Sequence, residues 1–532
     1  ARETAMNRNS AARLAQTEVL WSMLAANQPF PADKFAEAWK NVLLFSEHTW
    51  GASASGPQPH SQFTKDLWAG KKMYADNADI QSRTLYNDAL KSLTANDGSY
   101  IHILNTNLWT RSDVVTLDTT IDLTGKAILN SSGDKVETQR LHDGRWIFIA
   151  EEVPALSSVV YQIVPLKQKS ADKSFSSLCT AKNKLNNGLV QVEIDSIKGT
   201  ICSLKTQNNP FEYASGNGLN DYLYAGRLNA NPQGIPHIDR IVLLDDGPIA
   251  ATLRIESKAP GCNLLWRDVT IYKGINRVDL CNTLDKQDIL EPENVRFLFP
   301  FSIEQPEITM DLAMSEIHPE REQLEGVNKN YYSLQNGIAV GDLEHAICLT
   351  TIDAPFVELG TPTGLDYRLN PRHGYGWMQS ARISPVIYSW VMTNTWRTNY
   401  KASQDGIAVF RYSLQPSDPV DLKLKQRGAE RESELVAVQS NTPQPTGQLF
   451  RLKGRNRIAV SSIKPSDDGK GYIISLHNMG NQSVNSSFVW GTMKAKRIST
   501  CDNKQTPIAS FNDQSFWMKP YEYIQLKVET KE

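Results

Sequence analysis

Apolar positions along the chain follow two regimes, recurring every three or four residues up to about residue 97 and every second residue beyond it. From Ser10 to Asn27, Leu14, Trp21 and Leu24 stand at helical spacing among good helix formers, which predicts a first helix. Pro29 and Pro31 break it. Pro31 opens a second helix, with Phe35, Ala38, Trp39, Val42 and Leu43 as one apolar face. After a Gly/Ser/Pro-rich loop from Gly51 to Pro59, a third helical pattern runs from about His60 to Leu93, with Phe63, Leu67, Tyr74, Ala78, Leu85 and Leu90 near one stripe. The Asn96-Asp97-Gly98 turn closes this three-helix bundle.

Beyond it the chain reads as strand and loop. Short β-rich runs such as Tyr100 to Leu104, Asp113 to Leu117, Arg145 to Ala150 and Ser158 to Val164 predict a small β-sandwich. A Ser/Lys linker from Ser170 to Ser177 leads to a much longer β region. Its clear strands include Ile249 to Ile255, Asp268 to Tyr272, Val295 to Phe299, Val386 to Met392 and Val409 to Tyr412. About 250 residues of this kind fit one large two-sheet domain better than several small ones. From Arg427 to Asn441 the chain turns polar, and runs such as Tyr472 to Leu476 and Tyr523 to Val528 outline a last small β domain. The expected division is 1–97, 98–169, 170–426 and 427–532: three-helix bundle, small β-sandwich, large β supersandwich and C-terminal β-sandwich. The fold class is mainly β with an N-terminal α segment. No short repeat supports a solenoid or propeller.

Composition narrows the function. A net charge of −2 from 56 basic and 58 acidic residues leaves no basic stripe for nucleic acid. No apolar run approaches the ~18 residues of a membrane helix, so a soluble protein is expected. Six scattered Cys without a C-x-x-C pair exclude a zinc knuckle and a disulfide-dense scaffold, with one or two bridges left open. The first residues, Ala1 to Asn7, have neither the basic nor the apolar region of a signal peptide.

The densest chemistry is the turn Glu47-His48-Thr49-Trp50-Gly51, which places a carboxylate, an imidazole, a hydroxyl and an indole together at the end of the second helix. A catalytic zinc normally takes about three protein ligands. The other His residues, 60, 102, 142, 237, 318, 345, 373 and 477, form no H-x-H or H-x-x-x-H pair, so the sequence assembles no complete zinc site. A lone His at a helix end is more often a cap or a surface residue. Asp285, Glu291 and Glu293 cluster before a strand, where a solvated loop is the plainer reading than a glycosidase carboxylate pair. Asn394-Thr-Trp-Arg-Thr-Asn-Tyr400 is a second polar-aromatic patch, suited to a sugar cleft or to a buried hydrogen-bonded network; Arg368, Arg372, His373, Tyr375 and Trp377 carry the same ambiguity. No nucleophile elbow, phosphate loop or dinucleotide fingerprint is present.

Taken together, Ala36 to Leu44 leading into Glu47-His-Thr-Trp-Gly-Ala52, Asp245-Asp-Gly-Pro248, Leu284-Asp285-Lys286, Phe297-Leu-Phe-Pro-Phe301 and Asn394 to Tyr400 with Gln404 to Tyr412 resemble glycoside hydrolase family 38 α-mannosidases. The resemblance covers their middle and C-terminal portions and includes a large sandwich like that of galactose mutarotase. It implies a zinc-dependent retaining α-mannosidase whose Asp nucleophile and remaining zinc ligands lie in an N-terminal catalytic barrel that this chain lacks. His48 would then be one metal ligand, although this chain has Glu47-His48-Thr49 where the better-known eukaryotic form reads His-His-Asp. The loops holding Asn394, Trp396, Arg397 and Asn399 would shape the substrate cleft or only the domain junction. No catalytic residue is assigned to this chain, which is expected to be inactive alone and not to hold zinc tightly. The implied partners are an α-mannoside and the missing barrel, with no nucleic acid and no membrane span; periplasmic and secreted locations both stay open. Two other readings stand beside it. One is a carbohydrate-binding or purely structural β assembly. The other is a mutarotase-like or lyase-like enzyme using His318 with Glu316 and Glu320, His345 beside Glu344, or His373.

Overall fold

A computed structural model describes the whole chain except residues 25–27, 48–52, 167–174, 208–209, 227–232, 314, 363–377, 379, 395–399, 454–457, 480–481, 512–514 and 531–532. Helix α1 spans Arg2–Leu24, α2 Ala32–Ser46, α3 Gln62–Leu90 and α4 Leu424–Glu432; among the described residues the rest is antiparallel strand joined by turns and loops. The mainly β class with an N-terminal helical segment is therefore the observed one. Helix α1 begins eight residues before the expected Ser10, because the polar stretch from Arg2 to Asn9 still buries Ala5 and Asn7.

The chain forms two compact units, Ala1–Arg8 with Leu43–Asp76 and Phe175–Glu432, and Asn9–Val42 with Asn77–Ser174 and Ser433–Glu532. In the first, a nine-stranded antiparallel sheet runs in the order His237–Asp246, Ala250–Lys258, Cys262–Tyr272, Val278–Lys286, Gly406–Ser417, Ala346–Thr351, Gly337–Gly341, Glu307–Leu312 and Ser315–Ile317. A five-stranded sheet runs Asp221–Gly226, Glu293–Pro300, Val386–Thr393, Phe356–Leu359 and Tyr332–Ser333. A four-stranded sheet is built from residues 179–206. Period-two alternation sends Val278, Leu280 and Leu284 from the large sheet, and Val295, Phe297 and Phe299 from the five-stranded one, into a single buried cluster. That shared core makes the pair of sheets one supersandwich.

The second unit has two cores. One joins the sheets holding Tyr100–Asn105 and Arg111–Thr116 through Ile101, Ile103, Val115 and Phe148. The other packs Leu14, Trp21, Phe35 and Leu85 of the helices with Phe450, Phe488, Ile474 and Leu526 of the C-terminal strands. The polar stretch Arg427 to Asn441 completes α4 and then supplies Val436–Ser440, which pairs antiparallel with Tyr100–Asn105. Two side chains assigned to apolar helix faces point outward, Leu43 at 65% exposure and Phe63 at 63%. Leu43 sits ~100° round the helix from buried Val42, which carries it off the packed face. All six cysteines are free thiols.

Phe297 lies at the centre of the supersandwich core with no measurable exposure. Phe297→Ala is expected to cost about 3–5 kcal/mol, read as a lower urea midpoint of the first unit; a loss under about 1 kcal/mol would contradict one shared core.

Candidate functional site

The expected ligand His48 lies outside the described residues, but the structure that leads up to it is defined. Helix α2 ends at Ser46, followed by exposed Glu47. Lys71 of α3 donates to the Leu44 carbonyl at 2.8 Å, so an ammonium caps α2 where its dipole is negative. Burial lowers the Lys71 pKa, and Glu47 opposes that shift. Asn7 Nδ2 donates to Ser46 Oγ at 3.1 Å and ties the same end to α1. The turn therefore starts from a fixed helix end. Among the described residues, no three His, Cys, Asp or Glu side chains gather as a metal site.

Of the expected cleft residues, Trp396, Arg397 and Asn399 also fall outside the described residues, as do Arg368, Arg372, His373, Tyr375 and Trp377. Asn394 is described, and its carboxamide is fully engaged. Its Oδ1 accepts from the Glu293 N–H at 2.6 Å, and its Nδ2 donates to the carbonyls of Ile289 at 3.0 Å, Glu291 at 3.1 Å and Ala402 at 3.0 Å. One side chain thus joins the loop before Glu293–Pro300 to the loop before Gly406–Ser417. Close by, Gln404 Nε2 donates to the Thr393 carbonyl at 3.0 Å, while the Lys401 ammonium stands 5.9 Å from the centre of the Trp68 ring.

Glu293 is not the solvated loop residue expected from the sequence. Its carboxylate is buried, 2.6 Å from Lys286 Nζ, and accepts a 2.9 Å bond from the Tyr224 hydroxyl. Lys286 spends a second donor on the Gln287 carbonyl at 2.9 Å. Desolvation raises the Glu293 pKa, and the ammonium and phenol pull it back. Desolvation, then the hydrogen bond to Glu293 and its charge, push the Tyr224 phenol far above its ordinary range. Gly261 lets Tyr224 reach this position: its φ is +75°, and a Cβ there would stand 2.4 Å from the Tyr224 ring. The alternation of the strands could have revealed the pair. Lys286 shares the parity of Val278, Leu280 and Leu284, and Glu293 that of Val295, Phe297 and Phe299.

A second buried pair occupies the opposite parity. Arg296 Nε donates to Glu358 Oε2 at 2.5 Å and lies 4.8 Å from the Trp390 ring, whose Nε1 donates to Asn294 Oδ1 at 3.2 Å. The His-acid pairs considered earlier do not form among sequence neighbours. His318 Nδ1 is 3.4 Å from Glu307, while Glu316 accepts from the Lys425 N–H and Glu320 pairs with Lys329. His345 stacks on Phe211 at 3.8 Å and lies 3.6 Å from Asp342.

Lys286→Met would strand the Glu293 carboxylate and is expected to cost about 3–5 kcal/mol at neutral pH. Without the ammonium, the folded-state pKa of Glu293 rises further. A raised carboxyl pKa favours the folded state at low pH and weakens that benefit as pH climbs through it, so the loss should shrink below pH 5. The double variant Lys286→Met/Glu293→Leu should recover most of it. Denaturant midpoints at pH 7 and below pH 5 check all three; an equal loss at both would contradict a stranded charge.

No protein-family model matches the chain, and no curated protein matches it. Solved structures do. An alpha-mannosidase from Enterococcus faecalis V583 aligns with TM-score 0.73 at 13% identity, over 99% of this chain and 67% of its own. A protein in the Glycosyl Hydrolase Family 38 from Enterococcus faecalis aligns with TM-score 0.72 at 13% identity, over 99% of this chain and 70% of its own. A galactose mutarotase related enzyme from Lactobacillus acidophilus covers 45% of this chain at TM-score 0.27, a likeness too loose to bear on it. At these identities the first two show the fold: nearly all of this chain follows a large part of each, and each extends well beyond it.

Proposed function

We propose that this chain is the part of a family 38 α-mannosidase that lies outside its catalytic barrel. The observation that carries the reading is the near-complete coverage of this chain by two such structures, each of which keeps about a third of its length without a counterpart here. The motifs around Glu47-His48, Asn394 and Phe297 support the same reading from the sequence side.

In this reading the parent enzyme hydrolyses α-mannosides with retention, and the carboxylate nucleophile belongs to the barrel. Zinc would grip sugar hydroxyls and stabilise charge developing in the transition state. The His48 imidazole would be one ligand of a zinc shell, with the barrel supplying the others; among the described residues no three His, Cys, Asp or Glu side chains gather to complete one. The cap of Lys71 on α2 and the tie of Asn7 to Ser46 give that imidazole a rigid base. Asn394 would act on substrate indirectly, by fixing the backbone at Glu293 and Ala402 on either side of it. Its own amide is committed to backbone groups.

The purified 532-residue chain is therefore expected not to hydrolyse 4-nitrophenyl α-mannoside. Robust turnover that disappears on His48→Ala would overturn the reading and assign a complete active site to this chain.

A further inference from the structure

The strands Phe450–Lys453, Val484–Trp490 and Ser515–Met518 form a three-stranded sheet in the second unit. Its register pairs Leu452 with Phe488, Lys453 with Ser487, Ser487 with Ser515, and Asn485 with Trp517. Phe450, Leu452, Phe488, Phe516 and Met518 enter the core, so alternation sends Arg451, Lys453, Asn485, Ser487, Ser515 and Trp517 to the other face. Lys453, Ser487 and Ser515 lie in one row across the strands, and Asn485 and Trp517 in the next, with rows ~7 Å apart. Trp517 stands 69% exposed. Among the described residues, the side chains of Arg451, Lys453, Asn485, Ser487 and Ser515 make no hydrogen bond.

A large indole left in water, beside amide, hydroxyl and cationic groups that make no hydrogen bond among the described residues, has a definite complement. We infer that this face is a carbohydrate-binding site. A pyranose presents a flat set of C–H bonds on one side, which suits the indole face, and a rim of hydroxyls, which suits Asn485, Ser487, Ser515 and Lys453 at neighbouring row and strand spacings. A protein partner fits less well, because interface centres gather several large apolar side chains and this face offers one, Trp517, with the smaller Val489 beside Arg451. A single-stranded nucleic acid fits less well too: stacking platforms for it sit in cationic grooves, whereas this face carries two cations on a chain of net charge −2. The site involves neither His48 nor Asn394, so it stands or falls independently of the hydrolase reading.

Affinity gel electrophoresis of the full chain tests it, with soluble yeast mannan or hydroxyethyl cellulose cast in the gel. At least one polysaccharide should retard the chain. Trp517→Ala should weaken that retardation by about tenfold or more, Asn485→Ala by a few fold, and Trp517→Phe should keep most of it. Trp517 packs nothing in the core, so the alanine variant should keep the unfolding midpoint of the parent. The inference is overturned if neither polysaccharide retards the chain, if Trp517→Ala migrates like the parent, or if only oligo(dT) binds at this face. Because no hydrolysis is measured, failure here leaves the proposed hydrolase role untouched, and failure of that role leaves this test intact.

Discussion

The strand Glu293–Pro300 is buried at every position, and much of the first unit is arranged to make that tolerable. One parity, Val295, Phe297 and Phe299, fills the core between two sheets. The other parity carries Asn294 and Arg296, polar groups that must be satisfied once water is excluded. Trp390 on the neighbouring strand and Glu358 one strand further on meet that demand for Asn294 and Arg296. At the start of the strand, Lys286, Tyr224 and the Asn394 carboxamide do the same for Glu293. A doubly buried strand with charges at its edge thus fixes where the loops on either side of it begin.

This arrangement gives Asn394, which the sequence left open between a sugar cleft and a buried hydrogen-bonded network, a network role. A carboxamide that gathers three carbonyls and one N–H has little left to offer a ligand. It can still matter for one, since the residues that follow it inherit their starting point from those bonds. The same logic applies at α2, where Lys71 and Asn7 set the helix end before the Glu47-His48 turn.

The fold was largely legible because the apolar period changes once, near Gly98, and stays near two afterwards. What escaped the sequence has definite causes. The strand Val436–Ser440 hid in a polar stretch because its stability comes from pairing with Tyr100–Asn105 over three hundred residues away. Leu43 and Phe63 looked buried because apolar character does not specify which side of a helix packs. Glu293 looked solvated because its charge outweighed a parity argument that was available. The exposed Trp517 gave no signal, since a Trp in a strand run is core far more often than surface. The candidate ligand and most candidate cleft residues stood out for local density of chemistry, and they fall outside the described residues.

On the proposed reading, this chain is a scaffold that presents pieces of a site whose reactive part lies in the barrel. The most direct test of that division of labour is metal content. The purified chain would be dialysed against micromolar zinc and then metal-free buffer, and its zinc measured by inductively coupled plasma mass spectrometry. A single imidazole should retain far less than one zinc per chain. A full equivalent retained, and lost on His48→Ala, would contradict the division and place a complete metal shell within this chain.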